Sequence, residues 1–231
     1  MQLEPQKLLL NTGIYGVPEA ARLTKVSKGK IRRWIRGYDF RKGAARRHSD
    51  AVWTGSIPPL DGKVVLGFLD LMEIRFVDAF LQAGVSWRTM RNAHQLAREE
   101  MESDHPFCTN RFAADGRRIL MRPATENGDQ PLLDLVSSQA EFQRIVAPFL
   151  TQLEFMEDHV ARWWPLGRKC NVVVDPARNL GQPTAAKSGV PTEVLARCVK
   201  ANESVEAVAR WYEVLPEEVR DAVEFEDSLA A

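Results

Sequence analysis

The feature that most constrains this chain is a strongly basic segment whose apolar residues repeat at helical spacing. Residues 22–47 hold eleven lysines and arginines against one acid, Asp39. Residues 17–23 are expected to open a helix, with Pro18 at its first position, where a missing N–H costs nothing. Residues 24–26 then turn the chain, and Ser27 is a good N-cap for a second helix running over residues 29–36. On that helix Ile31, Trp34 and Ile35 fall on one face, while Lys28, Arg32 and Arg36 share another at intervals of four. Two helices, a short turn and a clustered positive face together make a helix-turn-helix built to lie against a polyanion.

The chain as a whole hides this asymmetry, because its 31 bases and 31 acids cancel. Residues 192–231 carry ten acids against four bases, the reverse of the N-terminal segment. Opposite charge at the two ends implies separate tasks, and a basic end on a helix-turn-helix implies nucleic acid.

Other classes find little support. No apolar run approaches the roughly 18 residues that cross a bilayer, and the opening MQLEPQKLLLNTG lacks the order of a secretory signal, so a cytoplasmic protein with no membrane partner is expected. Cys108, Cys170 and Cys198 are far apart and odd in number, which argues against a disulfide framework or a structural zinc. His48, His94, His105 and His159 are scattered without ligand spacing, and no glycine-rich phosphate loop occurs. Cys108 lies close to His105 in sequence, but a nucleophile and its base also need an orienting third group. Glu154, Glu157 and Asp158 read as a solvated hairpin tip, and the Trp163–Trp164 pair reads as core or as an interface anchor. No enzyme, no cofactor, no catalytic residue and no metal site are therefore expected.

The expected fold is mainly α with a small β portion, an α+β arrangement. Residues 38–61 form a wing or an ordered loop, followed by helices over residues 66–83, closed by Gly84, and from Ser86 to about residue 101. Residues 107–135 are expected to form a hairpin on the Asp115-Gly116 and Asn127-Gly128 dipeptides. A helix over residues 139–146 should stop at Pro148, with short strands at residues 149–155, 160–164 and 172–174. Residues 175–192 read as an irregular linker, and residues 192–200, 204–212 and 216–229 as three helices, the last two with helix-turn-helix spacing. Three domains follow: residues 1–104 for DNA binding and dimerisation, a central α+β region over residues 105–174 with hairpins, and a helical partner-binding domain over residues 175–231.

In the first helix-turn-helix, Lys25, Ser27, Lys28 and Lys30 stand at the start of the recognition helix, where base edges are read. Arg32, Arg33, Arg36, Arg46 and Arg47 suit phosphates or a minor-groove wing. The second motif would push acids toward phosphate. Its apolar residues, Trp211, Tyr212, Val219 and Phe225 with Ala222 and Val223, suit a protein partner or core packing instead.

The N-terminal sequences VPEAARLTKVSKGKIRRWI and LGFLDLMEIRFVDAFLQAGVSWRTMRNA resemble the MerR-like winged helix-turn-helix and its two following helices. The C-terminal DPARNLGQPTAAKSGVPTEVLARCVKANESVEAVARWYEVLPEEVRDAVEFE is similar to a small helical domain, formerly of unknown function, that occurs in VapB-type antitoxins. The combination resembles the larger, two-module members of that antitoxin group and covers most of the chain. Val214-Leu215-Pro216 departs from the usual, more polar turn, which counts against DNA reading by the second motif. The resemblance implies a type II antitoxin that binds a cognate PIN-domain endoribonuclease toxin and double-stranded operator DNA, repressing its own operon. DNA contact carries over to the residues from Ser27 to Arg36 that match the motif. A homodimer or higher hetero-oligomer, joined through the helices of residues 66–101, would match palindromic half-sites. The alternative is a MerR-like transcriptional regulator that responds to a small ligand.

Overall fold

The structure is a computed structural model that describes residues 12–43, 45–202 and 204–230. The opening segment considered above for a secretory signal lies, up to residue 11, outside the described residues. The described chain divides into two compact units, one of residues 15–150 with 157–159 and one of residues 12–14, 151–156 and 160–230. The described elements are mainly helical with small sheets, as the sequence predicts.

In the N-terminal unit, β1 (Tyr15–Gly16) leads directly into α1 (Val17–Thr24), whose first turn contains Pro18 and whose end is marked by Lys25 in the left-handed region at φ 59°. Ser27 caps α2 (Lys28–Arg36) by accepting a hydrogen bond from the Lys30 amide. That helix buries Ile31 and Trp34 and turns its charges outward, so its apolar stripe is what holds a chain of very low mean hydropathy against the core. Gly37 sits at φ 70°, and a Cβ there would run into the Ser49 carbonyl oxygen, so only glycine admits the close turn into the following hairpin.

That hairpin is a wing: β2 (Tyr38–Lys42) pairs antiparallel with β3 (Ala45–Ser49), from Tyr38 opposite Ser49 to Lys42 opposite Ala45. β4 (Val65–Leu66) returns to pair with β1. Next come α3 (Phe68–Gln82) and α4 (Trp87–Met101), the latter capped by Ser86. α3 is buried nearly all round, its Leu71, Met72, Ile74, Phe76, Val77 and Phe80 and also its acids Asp70, Glu73 and Asp78 packing within its own unit.

Residues 107–135 are not a hairpin. After a 3-10 turn at Pro106–Cys108 they form α5 (Asn110–Asn127) and α6 (Gln130–Ser137), followed by α7 (Gln139–Leu150). Both turn dipeptides have other physical roles. Gly116 lies inside α5, where a Cβ would sit 3.0 Å from the rings of Phe112 and Phe142, so it is small in order to let two aromatics close in. Gly128 ends α5 in the left-handed conformation at φ 59°. Rings of Phe76, Phe80, Phe107 and Phe112 pack at 4.6 to 6.5 Å between centroids and tie α3 to α5. α7 runs through Pro148 to Leu150, so the helix expected to stop at that proline continues past it.

The strands of that region begin later. β5 (Leu153–Met156), β6 (His159–Trp163), β7 (Val172–Val174) and β8 (Pro183–Ala185) form one four-stranded sheet in that order. The expected linker over residues 175–192 therefore contributes a 3-10 turn and a buried strand. In the C-terminal unit Arg162 joins Glu154 at 2.9 Å and Asp175 at 2.8 Å.

α8 (Thr192–Asn202), α9 (Val205–Tyr212) and α10 (Pro216–Ala230) complete the C-terminal unit. Their core gathers Leu195, Val208, Ala209, Val219 and Ala222 against Ala185 of β8. Each large apolar side chain buried there contributes about 1.5–3 kcal/mol. Asp221 of α10 accepts from both the backbone N–H and the side-chain amide of Asn171, each at 2.8 Å, and so fastens the helix to the segment before β7.

Candidate nucleic-acid interface and partner surface

The positive surface of the N-terminal unit is assembled from α2 and the wing. Trp34 stacks on Trp87 of α4, with ring centroids 5.9 Å apart and planes 21° apart, and this pins α2 on its inner side. Lys25, Lys28, Arg32, Arg33 and Arg36 are exposed on the outer side.

They are not equally available. Lys30 is half-buried and its Nζ lies 3.1 Å from Asp78 Oδ1 of α3. Arg36 donates to the Gly62 carbonyl at 2.7 Å. Arg33 donates to the Gly29 carbonyl at 3.3 Å and lies over the Tyr38 ring, 5.7 Å from its centroid. The Ser27 hydroxyl oxygen is occupied by its cap. Lys28 and Arg32, one turn apart on the exposed face, are the bases of α2 with the fewest internal ties.

On the wing, Arg46 pairs with Asp39 at 2.6 Å, and Arg47 stands opposite Phe40. Hydrogen bonds from His48 and then Arg46 hold the Asp39 carboxyl below its usual range. Sequence reasoning left Arg41 out of the site, yet the register sets it directly opposite Arg46. Two like charges on one cross-strand pair weaken a hairpin in isolation. A hairpin that carries them is suited to an anionic partner, and the signal was present in the basic segment of residues 22–47.

Both ends of the wing are fixed. The Val52 amide donates to the Trp34 carbonyl at 2.8 Å, just beyond β3. Asp70 of α3, fully buried, accepts from Trp53 Nε1 at 2.9 Å, the Ser56 amide at 3.0 Å and the Gly67 amide at 2.8 Å. A cleft of about 800 Å³ lies between this loop and α4, walled by Asp50, Trp53, Arg91, His94, Gln95 and Arg98. Its cations are met by its own anions, with Arg98 2.5 Å from Asp104 and Arg91 3.8 Å from Asp50.

Behind the cleft Glu73 Oε2 faces His94 Nε2 at 3.5 Å, both residues fully buried. His105 Nε2 lies 2.9 Å from the Ser56 hydroxyl oxygen, not against Cys108. Burial pushes the Cys108 thiol well above its ordinary range, and its sulfur faces the Leu69 carbonyl at 3.6 Å, so it is a protonated core group. Among the described residues no group of three or more His, Cys, Asp or Glu could hold a metal ion, and no helix is long and apolar enough to cross a membrane.

The second candidate surface divides sharply. Val219 and Phe225, expected to meet a partner, are 0 % and 1 % exposed and hold the C-terminal unit together. Tyr212 is half-buried, its hydroxyl 3.3 Å from Cys198 Sγ. Trp211 is 71 % exposed, and Leu215, which the sequence reading had passed over as part of a turn, is 48 % exposed.

No family model matches this chain. A Mycobacterium tuberculosis H37Rv protein named "Putative antitoxin VapB45" is 29 % identical over 236 aligned residues, which span 97 % of each chain. The chain is similar to a VapB-type antitoxin from end to end. The X-ray crystal structure of Rv2018 from Mycobacterium tuberculosis superposes with a TM-score of 0.70 at 25 % identity, over 93 % of this chain and 98 % of that one. Both the alignment and the superposition span the N-terminal and the C-terminal unit of this chain.

Proposed function

We propose that this protein is the antitoxin of a type II toxin–antitoxin system: it neutralises a PIN-domain endoribonuclease and represses its own operon by binding operator DNA. The observation that carries the reading is the near full-length similarity to a protein named as a VapB antitoxin. The DNA-binding half is supported by the wing beside α2 and by the exposed bases Lys25, Lys28, Arg32, Arg41 and Arg47. Phosphate neutralisation by such a set makes binding steeply salt-dependent, with a slope of about −0.9 for each phosphate engaged. A two-fold operator would be met by a homodimer or a higher hetero-oligomer. The protein acts by binding, in the cytoplasm, without cofactor or catalysis.

The test pairs two assays on the same preparations. In a gel shift with the DNA upstream of its own gene, Lys28→Ala combined with Arg32→Ala should abolish the operator complex. In co-purification with the product of the adjacent gene, the same variant should retain its partner. Unchanged operator affinity removes the DNA assignment, and an adjacent gene that yields no bound nuclease removes the antitoxin assignment. The cleft of about 800 Å³ beside the wing favours a second reading, a ligand-responsive regulator. Operator affinity that shifts with a small molecule in the absence of any nuclease would establish it instead.

A further inference from the structure

The turn between α9 and α10 carries an apolar knob that the C-terminal unit does not use. Trp211 is 71 % exposed and, among the described residues, makes no ring stacking, hydrogen bond or ion pair. Leu215, four residues on, is 48 % exposed. The turn between them is rigid: the Val214 amide donates to the Ala209 carbonyl at 3.0 Å, and the Leu215 amide donates to Glu218 Oε2 at 3.2 Å. Glu218 is itself buried and also accepts from the Ser188 amide. A tryptophan held in water on a fixed turn is the type of residue that anchors an interface.

The charge around the knob is one-sided. Arg197 is paired with Glu193, Lys200 with Asp227 and Arg220 with Glu206. Exposed Glu213, Glu217 and Glu224 have no such partner among the described residues, and Arg210 is the base left to offset them. Glu217 and Glu224 are seven apart and share one face of α10.

We infer that this knob docks in the RNA-binding groove of the toxin and blocks it by imitating the substrate. The inference rests on the reading that the chain neutralises a ribonuclease. A groove that holds RNA is cationic for phosphates and offers flat apolar slots for bases. Carboxylates on one face of a helix match the first property, and an exposed indole matches the second.

The experiment uses the full chain and a catalytically inactive form of the adjacent-gene nuclease, with a short fluorescent 2′-O-methyl oligoribonucleotide as the probe. The protein should displace the probe competitively, and its affinity for the nuclease should fall as salt rises. Trp211→Ala should weaken nuclease binding at least about 30-fold. Glu213→Gln with Glu217→Gln and Glu224→Gln should weaken it about tenfold and flatten the salt dependence. All four side chains are exposed, so thermal melting should stay at the wild-type value. A ternary complex of nuclease, probe and protein overturns the inference and leaves the antitoxin reading standing, as does wild-type affinity in Trp211→Ala. A wild-type chain that binds no nuclease overturns both.

Discussion

Two of the helix pairs joined by short turns, α1–α2 and α9–α10, have the same internal logic with opposite exteriors. In α1–α2 a serine cap, a buried isoleucine and a buried tryptophan seat a helix whose outer face is lysine and arginine. In α9–α10 a serine cap and a buried valine, alanine and phenylalanine seat helices whose outer face is largely glutamate. The buried residues are interchangeable in kind, because they answer only to packing. The exposed ones are not, because they answer to whatever approaches. Motif geometry therefore says little about partner, and the sign of the unpaired surface charge says much.

The comparison breaks if the buried and exposed aromatics of the C-terminal pair prove equivalent. Phe225→Ala should cost about 3–5 kcal/mol of stability, whereas Trp211→Ala should stay within about 0.5 kcal/mol of wild type. Urea denaturation of the two variants decides it, and similar losses would mean that Trp211 packs after all.

A smaller effect is expected at the root of the wing. Asp70→Ala strands three donors, from Trp53, Ser56 and Gly67, and should cost about 3 kcal/mol in the N-terminal unit. Retention of wild-type stability would show that water replaces the carboxylate there.

Asp129 sharpens the comparison through pH. Burial alone would raise its pKa, but hydrogen bonds from Thr89, Ser86 and the Leu132 amide together hold it below the ordinary carboxylate value. A depressed carboxyl contributes stability above its unfolded pKa, about 3.9, and loses it as pH falls through the lower folded value. Asp129→Asn should therefore flatten the acid limb of the stability profile. Removing the side chain in Asp129→Ala should cost about 1–2 kcal/mol at neutral pH. An unchanged acid limb in Asp129→Asn would assign the acid sensitivity to other groups.

The smallest pair is Ser27→Ala and Ser204→Ala, which remove matching caps from α2 and α9 at about 1 kcal/mol each. Their thermal melts should shift by similar amounts despite the opposite charges of the two motifs. A large disparity would mean that charge, not capping geometry, governs how these helices begin.

Where periodicity and capping agreed, the chain could be read directly. Ser27, Ser86 and Ser204 each start the helix expected of them, and the apolar stripe of α2 is the buried one. The stretch over residues 107–135 misled because Asp-Gly and Asn-Gly are turn signals only when nothing else needs the glycine. Gly116 answers to two phenylalanine rings, one of them on a different helix, and no local window contains that contact. β8 was missed for a related reason: three residues beginning with proline gain strand character from pairing with β7, and that partner is nine or more residues away. At the candidate sites, the basic face was legible because its charges are contiguous. Which apolar residues of the acidic motif face water was not, since Val219 and Trp211 look alike until the core is assembled.

The double fastening of the wing turns the N-terminal unit into a gauge. Gly37 presses the start of the hairpin against Ser49, and the Val52 amide grips the end of α2 just past its return strand. Helix and hairpin then travel as one piece, so the separation between the two lines of contact proposed for DNA belongs to the protein and not to its partner. Any duplex that this unit grips must supply grooves at that separation. One base pair inserted between the two contact lines would shift one of them along and around the helix axis, and no bending of the hairpin could recover both.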